Sequence, residues 1–327
     1  MYPIKFKNLY FEKIWGGRDL GLFRSNLPEG DIGESWDISC HPNGMSIVAN
    51  GKFKDMRFDE LIKQTGDKIV GTKIDKKNFP ILVKIINATD KLSIQVHPDD
   101  RYANRVENQM GKTEAWYVIK AFPGASLIVG TKEGCTLEQF RNGISNGNLE
   151  RYMNRIPVEK GDVYFIRSGM IHAICEGVIL AEIQQSSDIT YRVYDYNRGR
   201  ELHVKKALDV VNLKLRGEKS TGLRVERQGF FKTYICISKE FSLELYDIYK
   251  EAVEISDKER FYIFTCVEGQ GDIIYDNGAE PINVGDSILI PASLGEYRLR
   301  GNMKLVKSYV PDFEKVESEI LKEVEKI

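Results

Sequence analysis

The chain has 327 residues, 42% of them hydrophobic, with 47 basic against 48 acidic side chains. That is enough apolar material for a sizeable core, and the balanced charge excludes the strong positive field expected of a nucleic-acid partner. No stretch approaches eighteen uninterrupted apolar residues and no apolar segment follows a basic start at Met1, so the expectation is a cytoplasmic protein with no membrane partner.

In chain order, most periodic signals are short, β-branched and aromatic, punctuated by Gly, Pro and Asn-Gly, the pattern of many short strands. Ser46–Ala49, before Asn50-Gly51, reads as a strand. Phe58 to Val70 reads as a short helix: Phe58, Leu61, Ile62 and Ile69 recur at near-helical spacing, and Asp59 and Glu60 complement the dipole of the first turn. Ile81–Ile86 and Leu127–Val129 return to strand character. Thr136 to Met153 opens with a capping-box pair, Thr136 and Gln139, and Gly143 and Gly147 divide it into two short helices. Tyr262–Val267, before Glu268-Gly269, is another strand. Phe313, Val316, Ile320, Val324 and Ile327 predict a C-terminal amphipathic helix. The class is mainly β, with a barrel or sandwich core. The five cysteines, Cys40, Cys135, Cys175, Cys236 and Cys266, show no C-x-x-C spacing, so no disulfide framework is expected.

Two segments share an outline. Val158 to His172 and Ile282 to Glu296 each carry a Gly-Asp turn, an apolar strand and a small-residue turn. This internal repeat of a jelly-roll half predicts two related barrels, in residues 1–225 and 226–327. The first copy ends in a histidine and the second does not, so the first is the expected site and the second is expected to be metal-free.

Only four histidines are available: His41, His97, His172 and His203. In Leu92-Ser-Ile-Gln-Val-His-Pro, Gln95 and His97 are two apart on a strand and share a face. Glu114, in Gly-Lys-Thr-Glu-Ala-Trp, opens the next strand, where a hairpin brings it alongside, and His172 closes the set after Ser168-Gly169. Singly, a polar residue on a strand is an ordinary hydrogen-bonding group. Together, two nitrogens and two oxygens without thiolate suit Zn²⁺, and also Fe(II) or Mn(II). His41 and His203 have no such neighbours and read as surface or structural. Glu182, in Val-Ile-Leu-Ala-Glu-Ile-Gln, is a carboxylate among apolar neighbours and a candidate general base. Ser93 shares the face of Gln95 and is a candidate phosphate donor. Trp15 and Trp36 read as core residues or as walls of a sugar cleft.

The segments Gln-Val-His-Pro-Asp-Asp (95–100), Gly-Lys-Thr-Glu-Ala-Trp (111–116), Gly-Met-Ile-His-Ala (169–173) and Ile-Thr-Tyr-Arg-Val-Tyr-Asp-Tyr (189–196) resemble the signature segments of type I mannose-6-phosphate isomerases. Lys-Ile-Trp-Gly-Gly (13–17) and Gly-Glu-Ser-Trp-Asp-Ile-Ser (33–39) are similar to that family's N-terminal segments, so the likeness runs through nearly the whole chain and best fits the short bacterial form. It implies two cupin-like barrels, with a few short helices and a C-terminal helix. It also implies one Zn²⁺ per chain on the positions matching Gln95, His97, Glu114 and His172, and interconversion of mannose 6-phosphate and fructose 6-phosphate through an enediol. Arg192 matches the family's essential arginine, and Lys84 and Lys112 match phosphate-side positions. The bland reading of Arg192 is an ion pair with Asp188 or Asp195. The competing classes are an Fe(II) cupin dioxygenase, weakened by Gln95 standing where a first histidine is usual, and a non-catalytic sugar-binding cupin with a structural metal.

Overall fold

Contacts divide the chain into two compact units, each assembled from separated segments. One comprises Met1–Leu9, Trp36–Lys84 and the chain from Thr221 on; the other comprises Tyr10–Ser35 and Ile85–Ser220. The computed structural model describes residues 1–325, so Ile327, expected on the C-terminal helix, lies outside the described residues. The expected cut after residue 225 runs close to Thr221. Two N-terminal segments nevertheless belong with the C-terminal strands: Ile4 pairs with Leu289, Phe6 bridges Val48, and Phe79 packs on both Phe58 and Phe261. Periodicity along a chain reports which residues are buried and not which distant segment buries them.

The unit of residues 10–35 and 85–220 supplies most of the strand residues of two open sheets. In the larger, Val163–Ile166, Glu114–Ala121, Val178–Gln185, Ile81–Ala88, Ile32–Ile38 and Leu9–Gly17 follow in that order; in the smaller, Met153–Pro157, Ser126–Thr131, His172–Ile174, Ile94–Val96 and Tyr191–Tyr194. The structure is thus mainly β, but its sheets do not close into the cylinders expected from the repeat. A jelly roll joins two layers through their side chains, so burial rather than edge hydrogen bonding completes it. Trp116, Val118 and Leu180 of the larger sheet and Leu127, Val129 and Ile174 of the smaller lie in one buried cluster. The opposite face of the smaller sheet presents Ile94, Val96, Ile128, Ala173, Tyr191 and Val193, which cluster with Ala103, Phe140 and Ala207 of the helices Asp100–Glu107, Leu137–Ser145 and Val204–Val210. Each Val, Ile or Phe among them contributes about 1.5–3 kcal/mol when buried. A slip of one residue would turn both rows the wrong way, so burial on both faces holds the register.

The other unit contains one nine-stranded sheet. Ile4–Lys5, Ser287–Ile290, Tyr262–Tyr275, Glu296–Tyr309, Ser242–Ile248, Phe230–Ile237 and Leu223–Arg227 follow in order, with Gly278–Asn283 on the third and Glu251–Ile255 on the fourth. Its core includes Tyr246, Phe264, Ile288, Tyr297 and Leu305. The helix Phe313–Val324 begins at Asp312, whose side chain accepts from the Lys315 amide.

The repeat is visible in the backbone. Gly161 and Gly285 have φ of 92° and 89°, and the aspartate after each accepts from the backbone N–H three residues earlier, Asp162 from Glu159 at 3.0 Å and Asp286 from Asn283 at 2.9 Å. The strands Val163–Ile166 and Ser287–Ile290 follow.

Local expectations fare unevenly. Thr136 and Gln139 form the capping box of the helix Leu137–Ser145, followed by a 3₁₀ turn at Leu149–Tyr152. The expected helix over 58–70 is two, Phe58–Thr65 and Asp67–Val70, divided at Gly66 with φ 54°. Ser46–Ala49 forms no continuous strand: Ile47 bridges Arg57 and Val48 bridges Phe6, so the segment divides its pairing between two partners, and the chain turns at Gly51, φ 60°. All five cysteines are free thiols.

Candidate metal centre and active site

Register assembles the site. On the smaller sheet, His172 and Arg192 both stand directly opposite Gln95, so one row across three strands carries His172, Gln95 and Arg192 on a common face. His97 lies two residues beyond Gln95. On the larger sheet, Glu114 faces Gln184 and Trp116 faces Glu182, which sets these four on one face. Both faces continue into the buried cluster between the sheets, through Val129 beside His172 and Val118 beyond Trp116. The inner surface therefore grades from Leu and Val to His and Glu along its strands.

His97, Glu114 and His172 converge there, each 1% exposed or less. The two Nε2 atoms are 3.2 Å apart; His97 Nε2 lies 3.5 Å from Glu114 Oε2, and His172 Nε2 lies 3.4 Å from Glu114 Oε1. Two ligand atoms about 2.1 Å from a tetrahedral ion are about 3.4 Å from each other, so the spacing fits a metal better than direct contact. The protonation pattern agrees. His172 Nδ1 is 2.9 Å from the Met170 carbonyl, which holds the proton on Nδ1 and turns the Nε2 lone pair toward the cluster. Neither oxygen of Glu114 accepts a hydrogen bond of good geometry, and only Oε2 has an ammonium beside it, so the buried carboxylate keeps acceptor capacity that a metal cation would satisfy.

Electrostatics favour metal-ready states. Burial, then the Lys112 ammonium, pushes the His97 imidazole down to about 3, and burial also lowers His172, so both rings are neutral. Burial alone would raise the Glu114 carboxyl, but Lys112 and His97 outweigh it and hold it well below the usual carboxylate range. Lys112 Nζ lies 3.2 Å from Glu114 Oε2; burial disfavours its charge, and Glu114, Glu182 and Asp188 together raise it above an ordinary lysine. The centre thus holds one anion, one fixed cation and two neutral nitrogen donors.

The remaining sequence candidates divide. The amide nitrogen of Gln95, not its oxygen, faces the cluster, 3.4 Å from His172 Nε2, while its Oε1 accepts from Ser93 Oγ at 3.3 Å. Rotating the amide by half a turn presents the oxygen. Ser93 also accepts from Arg192 Nε at 3.3 Å, so Ser93, Gln95 and Arg192 form a continuous polar edge. Arg192 pairs directly with neither carboxylate anticipated for it; its Nη1 donates to the Glu201 carbonyl at 2.8 Å. Glu182 is 5% exposed and accepts from the Trp116 indole at 3.0 Å. Lys112 lies against Glu114. Lys84 belongs to the other unit, its ammonium 4.7 Å from the centre of the Trp36 ring. Trp15 is core. His41 is buried and accepts from the Asn43 amide. His203, read as surface or structural, accepts from the Arg192 backbone amide at 3.3 Å.

Sequence reasoning missed Trp116, which stands edge-on to His172 at 5.5 Å and orients Glu182. Its signal was available: it lies two residues after Glu114 on the same strand. Sequence reasoning named Asp195 only as a partner for Arg192, whereas Asp195 pairs with Arg198 and Arg200, which have no spacing signature.

Residues 4–117 match the family described as phosphomannose isomerase type I, catalytic domain, and residues 231–310 match the mannose-6-phosphate isomerase cupin domain. The mannose-6-phosphate isomerase ManA of Bacillus subtilis is 34% identical over 315 residues, covering 94% of this chain and 99% of the relative. The mannose-6-phosphate isomerase of Streptococcus mutans is 34% identical over 94% of this chain and 98% of its own length. Among solved structures, the mannose 6-phosphate isomerase of Bacillus subtilis superposes with a TM-score of 0.88 at 34% identity, over 94% of this chain and 99% of the other. A putative mannosephosphate isomerase from Archaeoglobus fulgidus, at 23% identity and a TM-score of 0.77 over 95% and 98% of the two chains, shares the fold. With two relatives above 30% identity along nearly their whole length, and with His97, Glu114 and His172 gathered in the unit that carries the matched motifs, this chain belongs to the type I phosphomannose isomerase family.

Proposed function

We propose that this protein interconverts mannose 6-phosphate and fructose 6-phosphate through an enediol, with Zn²⁺ held by His97, Glu114, His172 and the carbonyl oxygen of Gln95. The observation that carries the reading is the convergence of two neutral imidazole nitrogens and one buried carboxylate at 3.2–3.5 Å, in a member of this family. When bound, zinc supplies Lewis acidity toward the sugar's carbonyl and hydroxyl oxygens.

The chain's own residues supply the rest. Isomerisation removes the proton from C2 of the aldose and returns one to C1, while a hydroxyl proton passes from O2 to O1. Glu182 is the base in this reading: it is buried, it faces the same interior as Glu114, and the Trp116 indole orients it. Arg192, always charged, stabilises negative charge as it develops on the enediolate oxygens. Ser93 and Lys112 are the phosphate-side donors on this unit, and Lys84 is assigned to the phosphate by resemblance alone.

The test is a coupled assay across several aldose phosphates, run with native, chelated and metal-restored protein alongside elemental analysis. The expected result is one zinc per chain, preference for mannose 6-phosphate, and activity lost with chelation and regained with zinc. Full activity in metal-free protein overturns the metal assignment; a tenfold preference for another aldose phosphate overturns the substrate.

A further inference from the structure

Arg192 is gripped by the segment that follows its own strand. Its Nη1 donates to the Glu201 carbonyl at 2.8 Å, its backbone N–H meets His203 Nδ1 at 3.3 Å, and its carbonyl accepts from the His203 amide at 2.7 Å. Between Tyr194 and Glu201 the chain leaves the sheet and returns. Two non-glycine residues turn it in the left-handed region, Tyr196 at φ 53° and Asn197 at φ 60°. Such conformations are disfavoured by about 1–3 kcal/mol and persist only where their surroundings over-determine them.

Asp195 supplies the constraint. It is 3% exposed, and its Oδ2 accepts from Arg200 Nε at 2.9 Å while Oδ1 accepts from Arg200 Nη2, a bidentate pair. The same Oδ1 accepts from Arg198 Nη2 at 3.2 Å, and the Asp195 carbonyl accepts from both the backbone N–H and Nε of Arg198, at 3.0 and 3.2 Å. One buried carboxylate thus closes the turn at two points. Glu201, whose carbonyl holds Arg192, is the residue after the clamped Arg200.

We propose that Asp195 is a positioning residue for the isomerisation: by clamping Arg198 and Arg200 it fixes the loop whose Glu201 carbonyl holds the Arg192 guanidinium, and whose His203 holds the Arg192 backbone, at the reacting oxygens. The inference rests on the role given to Arg192 above. Asp195 touches no reacting atom in this scheme, and its effect passes through Arg192.

The experiment compares D195N, R200A, R192A and the double variant R192A/D195N for kcat, KM, zinc content and thermal midpoint. D195N keeps the shape of the side chain and removes its charge; R200A breaks the same clamp from a side chain that is 27% exposed, and serves if D195N does not fold. A displaced guanidinium lowers kcat on the order of ten- to a hundredfold, with a smaller change in KM and unchanged zinc. The double variant is then no slower than R192A, because the two residues act as one unit. If R192A loses activity but both clamp variants keep wild-type kcat, or if the losses multiply in the double variant, the inference fails while the role of Arg192 stands. If R192A itself keeps wild-type kcat, both fall.

Discussion

Each side chain of the metal cluster is costly on its own terms. The buried Glu114 carboxylate is offset by the Lys112 ammonium at 3.2 Å, and the two imidazoles avoid the cost of a buried charge by staying neutral. This gives the metal-free protein a defined pH response. His97 and His172 have folded pKa values depressed below the unfolded value of about 6.5, so their contribution is complete above that pH and is lost as pH falls toward the folded value, about 3 for His97. Glu114, also depressed, adds a loss of the same sign below the usual carboxylate range. Chelated protein should therefore show a falling thermal midpoint between pH 7.5 and 5, and H97Q, which lacks one of these titrations, should show a shallower fall. A midpoint flat over that range in both proteins would contradict the buried neutral histidines.

At the level of elements, the site depends on three short neighbouring strands keeping their register. The strand Ser126–Thr131 pairs with His172–Ile174 and contains Gly130 at φ 90°, whose amide donates to the Ile171 carbonyl at 2.7 Å. A Cβ there would lie 2.4 Å from the Leu215 carbonyl oxygen, in a backbone conformation L-residues disfavour. G130A should cost more than about 1 kcal/mol in denaturant unfolding and, because Ile171 precedes His172, should also weaken zinc retention against a chelator. A variant with unchanged stability and metal affinity would mean that the strand tolerates the shift. The loop after Tyr191–Tyr194 follows the same logic: a strand supplies Arg192, and the irregular segment beyond it decides where the guanidinium points.

Across the molecule, the repeat has been put to two uses. The unit of residues 85–220 places histidines and a carboxylate inside its sheets; the unit containing the C-terminal strands carries a buried ion network in a cavity of about 270 Å³. There Glu244 accepts from Tyr309 at 2.6 Å and lies 3.2 Å from Lys232 and 3.6 Å from Lys307, and Glu319 of the last helix also meets Lys232 at 3.1 Å. Burial would raise the Glu244 carboxyl, but Lys307 and Lys232 hold it below its ordinary value. Its contribution is thus present above the unfolded pKa and is lost as pH falls through the depressed folded value. E244A removes one of the two carboxylate partners of each ammonium group, Lys232 keeping Glu319 and Lys307 keeping Glu254, and should cost about 1–3 kcal/mol, read from urea unfolding at neutral pH, with the difference from wild type shrinking in acid. An equal difference at both pH values would assign the cost to packing instead.

Much of this was legible in the chain. Strand character, the capping box at Thr136, the Gly-Asp repeat and the pairing of Gln95 with His97 follow from local rules, since a two-residue period or a cap is decided within a few residues. Ligand chemistry and strand order put Glu114 and His172 with that pair, and motif resemblance supplied Arg192. Local signals misread Ser46–Ala49 and the break at Gly66, where backbone turning overrode side-chain pattern. Tertiary structure alone decided the rest. It drew residues 1–9 and 36–84 into the unit of the C-terminal strands, turned Trp116 onto Glu182, set Lys112 against Glu114, and made Asp195 the clamp of the arginine loop. Those outcomes depend on pairings between segments tens of residues apart, where the energy lies in burial and register, and no periodicity along the sequence records which distant partner supplies it.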